Sequence, residues 1–223
     1  MIEACRSAGV QFAEAFMYRH HPRYEWIKAI IRSGKIGEIR GIHGAFTFNN
    51  PGDTKNVRFQ RSWGGGSLYD VGCYPLSAAR YLLEEEPQAA TVHAFFSPEH
   101  DDVDMMASGL VEFAGGVALT FDCGMWASGR NTLEILGTLG RIEVPSAFVT
   151  SEKNPGHFFV ITSDGRQEEE VAYFNQYALQ ADDLAYAVWG QKPMRFDSKD
   201  ALLNMKVMDA CLQSAREHTR VSI

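Results

Sequence analysis

From residue 90 to residue 173 the chain breaks into short apolar runs separated by turn residues, and no other feature restricts its fold as much. Candidate strands cover residues 90–96, 104–113, 117–125, 131–136, 141–144 and 158–162, with a further one at 167–173. Between them stand Gly115-Gly116, Ser128-Gly129, Gly140, Asn154-Pro155-Gly156 and Asp164-Gly165, residue types that accept the backbone angles of tight turns. Connections this short join antiparallel neighbours, because a parallel pair needs a crossover of about a dozen residues or more.

Helices flank this block. His21-Pro22-Arg23 opens one that ends at Ser33-Gly34, with Pro22 tolerated in its first turn. A strand follows at residues 39–48, then a polar loop over 49–63, then Gly64-Gly65-Gly66-Ser67 leading into a helical stretch over 68–83. Two helices close the chain, at 176–189 before Gly190 and at 198–217 with Asp197 or Ser198 as N-cap. In the last one Ala201, Met205, Met208, Leu212 and Ala215 recur at helical spacing and should pack on the sheet. The fold class is α+β: a large, predominantly antiparallel open sheet with helices on one face. The other face should be an apolar surface that something covers, and such a surface is an interface.

The first residues have another character. Residues 2–7 read as the end of a helix stopped near Gly9, and residues 10–16 read as a short buried strand. Domains rarely begin in the last turns of a helix, so residues 1–20 are expected to be the remnant of a preceding domain and residues 21–223 the main one.

Composition removes several classes. The formal net charge of −7, with no dense Lys/Arg run, excludes nucleic acid as a natural partner. Cys5, Cys73, Cys123 and Cys211 are too scattered for a zinc site or a disulfide framework and read as reduced thiols of a cytoplasmic protein. The start lacks the apolar core of a signal peptide, and no apolar run nears the roughly 18 residues of a membrane helix.

The segment running Trp63-Gly64-Gly65-Gly66-Ser67-Leu68-Tyr69-Asp70-Val71-Gly72-Cys73-Tyr74-Pro75 is richest in chemistry. Asp70 and Tyr74 are four residues apart and share a helix face, where a carboxylate and a phenol can handle a proton together. The plainer alternative is that Asp70 caps a turn and Tyr74 is half-buried. The glycines are no dinucleotide fingerprint: G-x-G-x-x-G is absent, and the run does not follow a strand inside a βαβ unit. Walker, HExxH and GxSxG motifs and paired metal-ligand histidines are absent too, so no metal is expected.

GGGSLYDVGCYP resembles the signature of the Gfo/Idh/MocA oxidoreductases, especially the branch with NADP-dependent xylose dehydrogenases and dimeric dihydrodiol dehydrogenases. The stretch Phe16-Met17-Tyr18-Arg19-His20-His21-Pro22 resembles the one that leaves the family's nucleotide domain. Gly34-Lys35-Ile36-Gly37-Glu38-Ile39, Gly137-Thr138-Leu139-Gly140-Arg141-Ile142 and Asp200-Ala201-Leu202-Leu203-Asn204-Met205 resemble later family segments in order. The resemblance implies a C-terminal substrate and oligomerisation domain. The family's Rossmann domain and its Glu-Lys-Pro motif are not among these residues, and residues 1–20 would be the end of that nucleotide-binding domain. It also implies an NAD or NADP hydride-transfer enzyme acting on a sugar, polyol or diol. Neither nucleotide is expected to bind this chain alone, which is expected not to turn over.

By the same resemblance Tyr74 is the general acid/base and Asp70 helps to position it and the substrate. Arg19, Trp63 and Trp126 are candidates for the substrate wall, against an alternative in which the tryptophans pack and Arg19 forms a salt bridge. A homodimer or larger assembly through the open sheet face is implied as well. Two other readings remain at this stage: a non-catalytic sugar-binding or assembly module, and an unrelated lyase or hydrolase using Asp70 and Tyr74.

Overall fold

A computed structural model describes all residues except Pro51 and Thr54. After α1 (Ile2–Ser7) and α2 (Arg23–Arg32) comes β1 (Ile39–Asn49), then a π-helical turn (Leu68–Gly72) that runs into α3 (Cys73–Leu83). The strands β2 (Ala89–Ser97), β3 (Val103–Glu112), β4 (Ala118–Gly124), β5 (Trp126–Gly137), β6 (Gly140–Pro145), β7 (Phe158–Thr162) and β8 (Gly165–Glu169) follow. The chain ends in α4 (Gln176–Val188), α5 (Ser198–Glu217) and β9 (Val221–Ser222).

The strands form one nine-stranded sheet in the order β8-β7-β6-β5-β1-β4-β3-β2-β9. The pairs β2–β3, β3–β4, β5–β6, β6–β7 and β7–β8 are antiparallel, whereas β4 and β5, though consecutive in the chain, are not neighbours in the sheet. β1 inserts between β5 and β4 and runs parallel to β4, which is possible because α3 and two further strands separate them in sequence. Gly115 and Gly116, at φ +65° and +77°, make the turn between β3 and β4.

The core lies between the sheet and the helices. Ile42, Val92, Val111, Leu119, Phe121, Leu133, Ile135, Ile142 and Val160 are buried and belong to one cluster with residues of α2, α3 and α5. Burying side chains of this size contributes about 1.5–3 kcal/mol each, the main term holding the layers together. α3 comes so close to β1 that a Cβ on Gly44 would stand 2.6 Å from Pro75 Cβ. α5 is capped by Asp197, which accepts from the Lys199 N–H at 2.7 Å.

Three expectations need correction. Residues 10–16 form no strand: they carry no regular secondary structure and belong to no sheet, and Val10 is 56% exposed. In α5 the buried line is Ala201, Asn204, Val207, Met208, Cys211 and Ala215, whereas Met205 faces outward and Leu212 is half-buried. Buried Asn204 occupies the turn where an apolar residue was sought, because its side-chain oxygen accepts from Arg80.

The open sheet face is mixed rather than uniformly apolar, carrying charged and polar side chains beside exposed Phe95, Leu110 and Trp126. One cross-strand row runs His93, Ser108, Asp122, Ala45, Thr132. The next runs Leu110, Thr120, His43, Glu134, Glu143, Phe159. Asp122 is bonded by Ser108 at 2.6 Å and by Arg130 at 2.9 Å, so these charges are paired on the sheet itself.

Candidate functional site

The glycine run shapes the site. Gly65 N–H donates to the Gln60 carbonyl at 3.0 Å and Gly66 N–H to the Arg58 carbonyl at 2.9 Å, folding the loop back on itself. A Cβ on Gly65 would meet Arg58 O at 2.6 Å, and one on Gly66 would collide with the Asp104 carboxylate. Gly66 also has φ +117°, open to glycine alone at low cost. Buried Asp104 on β3 accepts from Ser67 Oγ and from the Leu68 N–H, both at 2.7 Å, and so satisfies the start of the π-helical turn. Burial nonetheless raises the Asp104 pKa.

That turn projects Asp70 and Tyr74 from the helix-covered side of the sheet. Asp70 is ion-paired with Arg58, Nε to Oδ2 2.7 Å, across the loop. Tyr74 is half-buried in an aromatic box of Phe46, Phe16, Phe148 and Tyr18, with ring centroids 5.2–5.9 Å away. Among the described residues its hydroxyl has one polar contact, the Met17 sulfur at 3.7 Å. Burial pushes the phenol well up, with smaller contributions from Cys73, Tyr177 and Asp70 that Arg58 partly opposes. Tyr74 is therefore a neutral proton donor at neutral pH and a poor base. Asp70 and Tyr74 share a face but make no hydrogen bond to each other.

The other sequence candidates lie elsewhere. Arg19, 3% exposed, is bonded to Asp200 and lies over the Phe196 ring at 4.3 Å. Its salt bridge matches the plainer reading. Trp126 stacks on Phe95 at 4.6 Å on the open sheet face, the side opposite Tyr74. Trp63 is 72% exposed on the loop just before the glycines. Arg58, Met17 and Tyr177 escaped the sequence reading. They reach the site from a loop, a 3-10 turn and the start of α4, and no spacing rule links them to Tyr74.

The Gly65 and Gly66 N–H groups are spent on carbonyls of the same loop. Among the described residues no cluster of three or more His, Cys, Asp or Glu is arranged to hold a metal. Among the described residues no helix is long and apolar enough to cross a membrane.

Residues 24–143 match the GFO/IDH/MocA C-terminal domain family. The chain is 32% identical to an uncharacterized oxidoreductase from Rhizobium meliloti, over 95% of this chain and 64% of that protein. It is 27% identical to a D-xylose 1-dehydrogenase (NADP(+)) from Haloferax volcanii, over 100% of this chain and 68% of the relative. Among solved structures, a 3-ketoreductase from Actinomadura kijaniata in complex with NADP and TDP-benzene superposes with a TM-score of 0.89 at 25% identity, covering 96% of this chain and 65% of that one. An aldose-aldose oxidoreductase from Caulobacter crescentus complexed with glycerol shares the fold, with a TM-score of 0.89 at 24% identity over 100% of this chain and 67% of its own. The chain thus spans about two thirds of the length of the relatives it matches.

Proposed function

This chain belongs to the GFO/IDH/MocA oxidoreductase family, through its C-terminal domain, and from that membership we propose that it forms the substrate-side half of an NAD(P)-dependent enzyme. The reaction is hydride transfer between nicotinamide and a sugar or a related polyol or diol. Relatives named as a xylose dehydrogenase and a dTDP-sugar 3-reductase support that substrate class.

The observation that carries the reading is the Tyr74 hydroxyl. It is presented by the first turn of α3 in an aromatic box, and its one polar contact is a thioether, a weak acceptor that a substrate oxygen can displace. As a carbonyl becomes a hydroxyl, Tyr74 gives its proton to the oxygen; in the reverse direction it takes the proton back. The raised pKa suits the donor role. The reverse role needs a cation beside the phenol, and among the described neighbours only Arg58 pulls its pKa down. Asp70, fixed by Arg58, orients the turn that carries Tyr74. Nicotinamide would supply or accept the hydride. Residues 1–20 then fall to the nucleotide-binding side of the enzyme and residues 21–223 to the substrate side. Trp63 is the remaining candidate for an aromatic wall against a sugar.

The self-satisfied glycine loop favours a second statement: by itself this chain is a non-catalytic substrate-binding and assembly module. Assembly would be a homodimer or larger through the open sheet face, where a groove of about 590 Å³ is lined by both acids and arginines. A cytoplasmic setting accords with its four free cysteines. The test of the catalytic reading is Tyr74→Phe within the full enzyme. We expect kcat to fall about 10²- to 10⁴-fold, with KM changed only a few-fold. Unaltered turnover removes Tyr74 from the chemistry.

A further inference from the structure

α4 has little apolar anchorage, since only Gln176 and Ala187 of its 13 residues are buried. It rests on the 3-10 turn Met17–His20, which carries Met17 beneath Tyr74. Between α4 and this segment lies a cavity of about 20 Å³, whose lining includes Glu14, Arg19, Gln180, Asp183 and Phe196. Three polar atoms from that lining are shielded from solvent and meet no hydrogen-bonding group: Glu14 Oε2, Arg19 Nε and Gln180 Oε1. Buried polar groups left in this state are uncommon in folded proteins, and each calls for a partner.

Two acceptors and one donor form the complement of a water molecule, which donates twice and accepts. The volume suits one water and nothing larger. A metal cation is opposed by the Arg19 guanidinium on the same wall, and an anion by the Glu14 and Asp183 carboxylates. We propose that one ordered water fills this cavity, donating to Glu14 Oε2 and Gln180 Oε1 and accepting from Arg19 Nε. The water ties α4 to the segment that carries Met17. Glu14 and Gln180 then become positioning residues for the start of α4, where Tyr177 lies close enough to influence Tyr74. Burial raises the Glu14 pKa despite nearby Arg19, as befits a carboxyl removed from bulk solvent.

The test is a crystal structure at about 1.5 Å or better, paired with amide hydrogen exchange on this chain and its Gln180→Leu variant. The expected result is an isolated water peak about 2.7–3.2 Å from all three atoms. In the variant, the peak should be lost and exchange in α4 should rise at least about tenfold while α5 is unchanged, the signature of local rather than global loosening. An empty cavity, or direct bonds among Glu14, Arg19 and Gln180, overturns the water site. A water peak with identical α4 exchange in the variant overturns the tie.

Discussion

Removing the Asp200 carboxylate should be among the most damaging single changes in this chain, because it strands a buried cation. Asp200 bridges Arg19 and Arg80, whose side chains are each 3% exposed. Arg80 keeps a second carboxylate, Glu86, at 2.7 and 2.8 Å, and is only partly deprived. Among the described residues Arg19 keeps aromatic rings and no second ion pair, the Glu14 carboxyl acting on it only at longer range. Breaking a buried pair from one side costs about 3–5 kcal/mol, since the remaining charge stays desolvated. With a urea m-value of about 2–3 kcal/mol/M, Asp200→Ala should lower the unfolding midpoint by about 1–2 M. Arg19→Met should cost less, because it removes the charge together with its need for a partner, and the double variant should recover part of the loss. Burial alone would raise the Asp200 pKa, but Arg19 and Arg80 outweigh it and hold the carboxyl below its usual range. Its folded pKa is depressed, so this stability is present above the unfolded value of about 3.9 and is lost as pH falls further. Urea denaturation of the four proteins at pH 7 measures the cycle. An Asp200→Ala cost under about 1 kcal/mol, or strict additivity in the double variant, refutes the reasoning.

Two further outcomes follow. Burial lowers His20 and His21 to pKa values of about 4, so between pH 6.5 and about 4 the unfolded chain binds protons that the folded one refuses. Stability should therefore fall as pH drops through that window, and His21→Phe should flatten the dependence; a pH-independent unfolding midpoint from 6.5 to 4.5 contradicts this. Light scattering should give at least twice the mass of one chain, and Glu143→Arg on the open face should shift it toward the monomer; a wild-type monomer contradicts assembly through that face.

Local chemistry made much of the fold legible. Asp197 caps α5 because its oxygen reaches the Lys199 N–H, and Gly190 at φ +68° follows the end of α4 as its lack of a side chain allows. The alternating runs became strands because tight turns leave antiparallel pairing as the simplest way to satisfy their backbones. Residues 10–16 misled because an apolar run does not disclose whether an edge is available to pair with it. The open face misled for a related reason. It was assigned as apolar in general, while His43, Thr120, Asp122 and Glu134 belong to it individually and become neighbours only once the register is known. At the site, Asp70 and Tyr74 were visible from four-residue spacing. Their partners Arg58 and Met17 were not, because loop closure brings them in from 12 and 57 residues away.

The central claim is a division of labour: these residues hold and protonate substrate, and the nucleotide is bound by others. A fluorescence titration of the purified chain with NADH and NADPH, followed by a turnover assay over a sugar panel, tests it most directly. The account predicts no saturable binding of either nucleotide up to the millimolar range and no turnover. Micromolar binding or measurable oxidation of a sugar by this chain would contradict it, and would place a nucleotide site within residues whose glycine N–H groups are already spent.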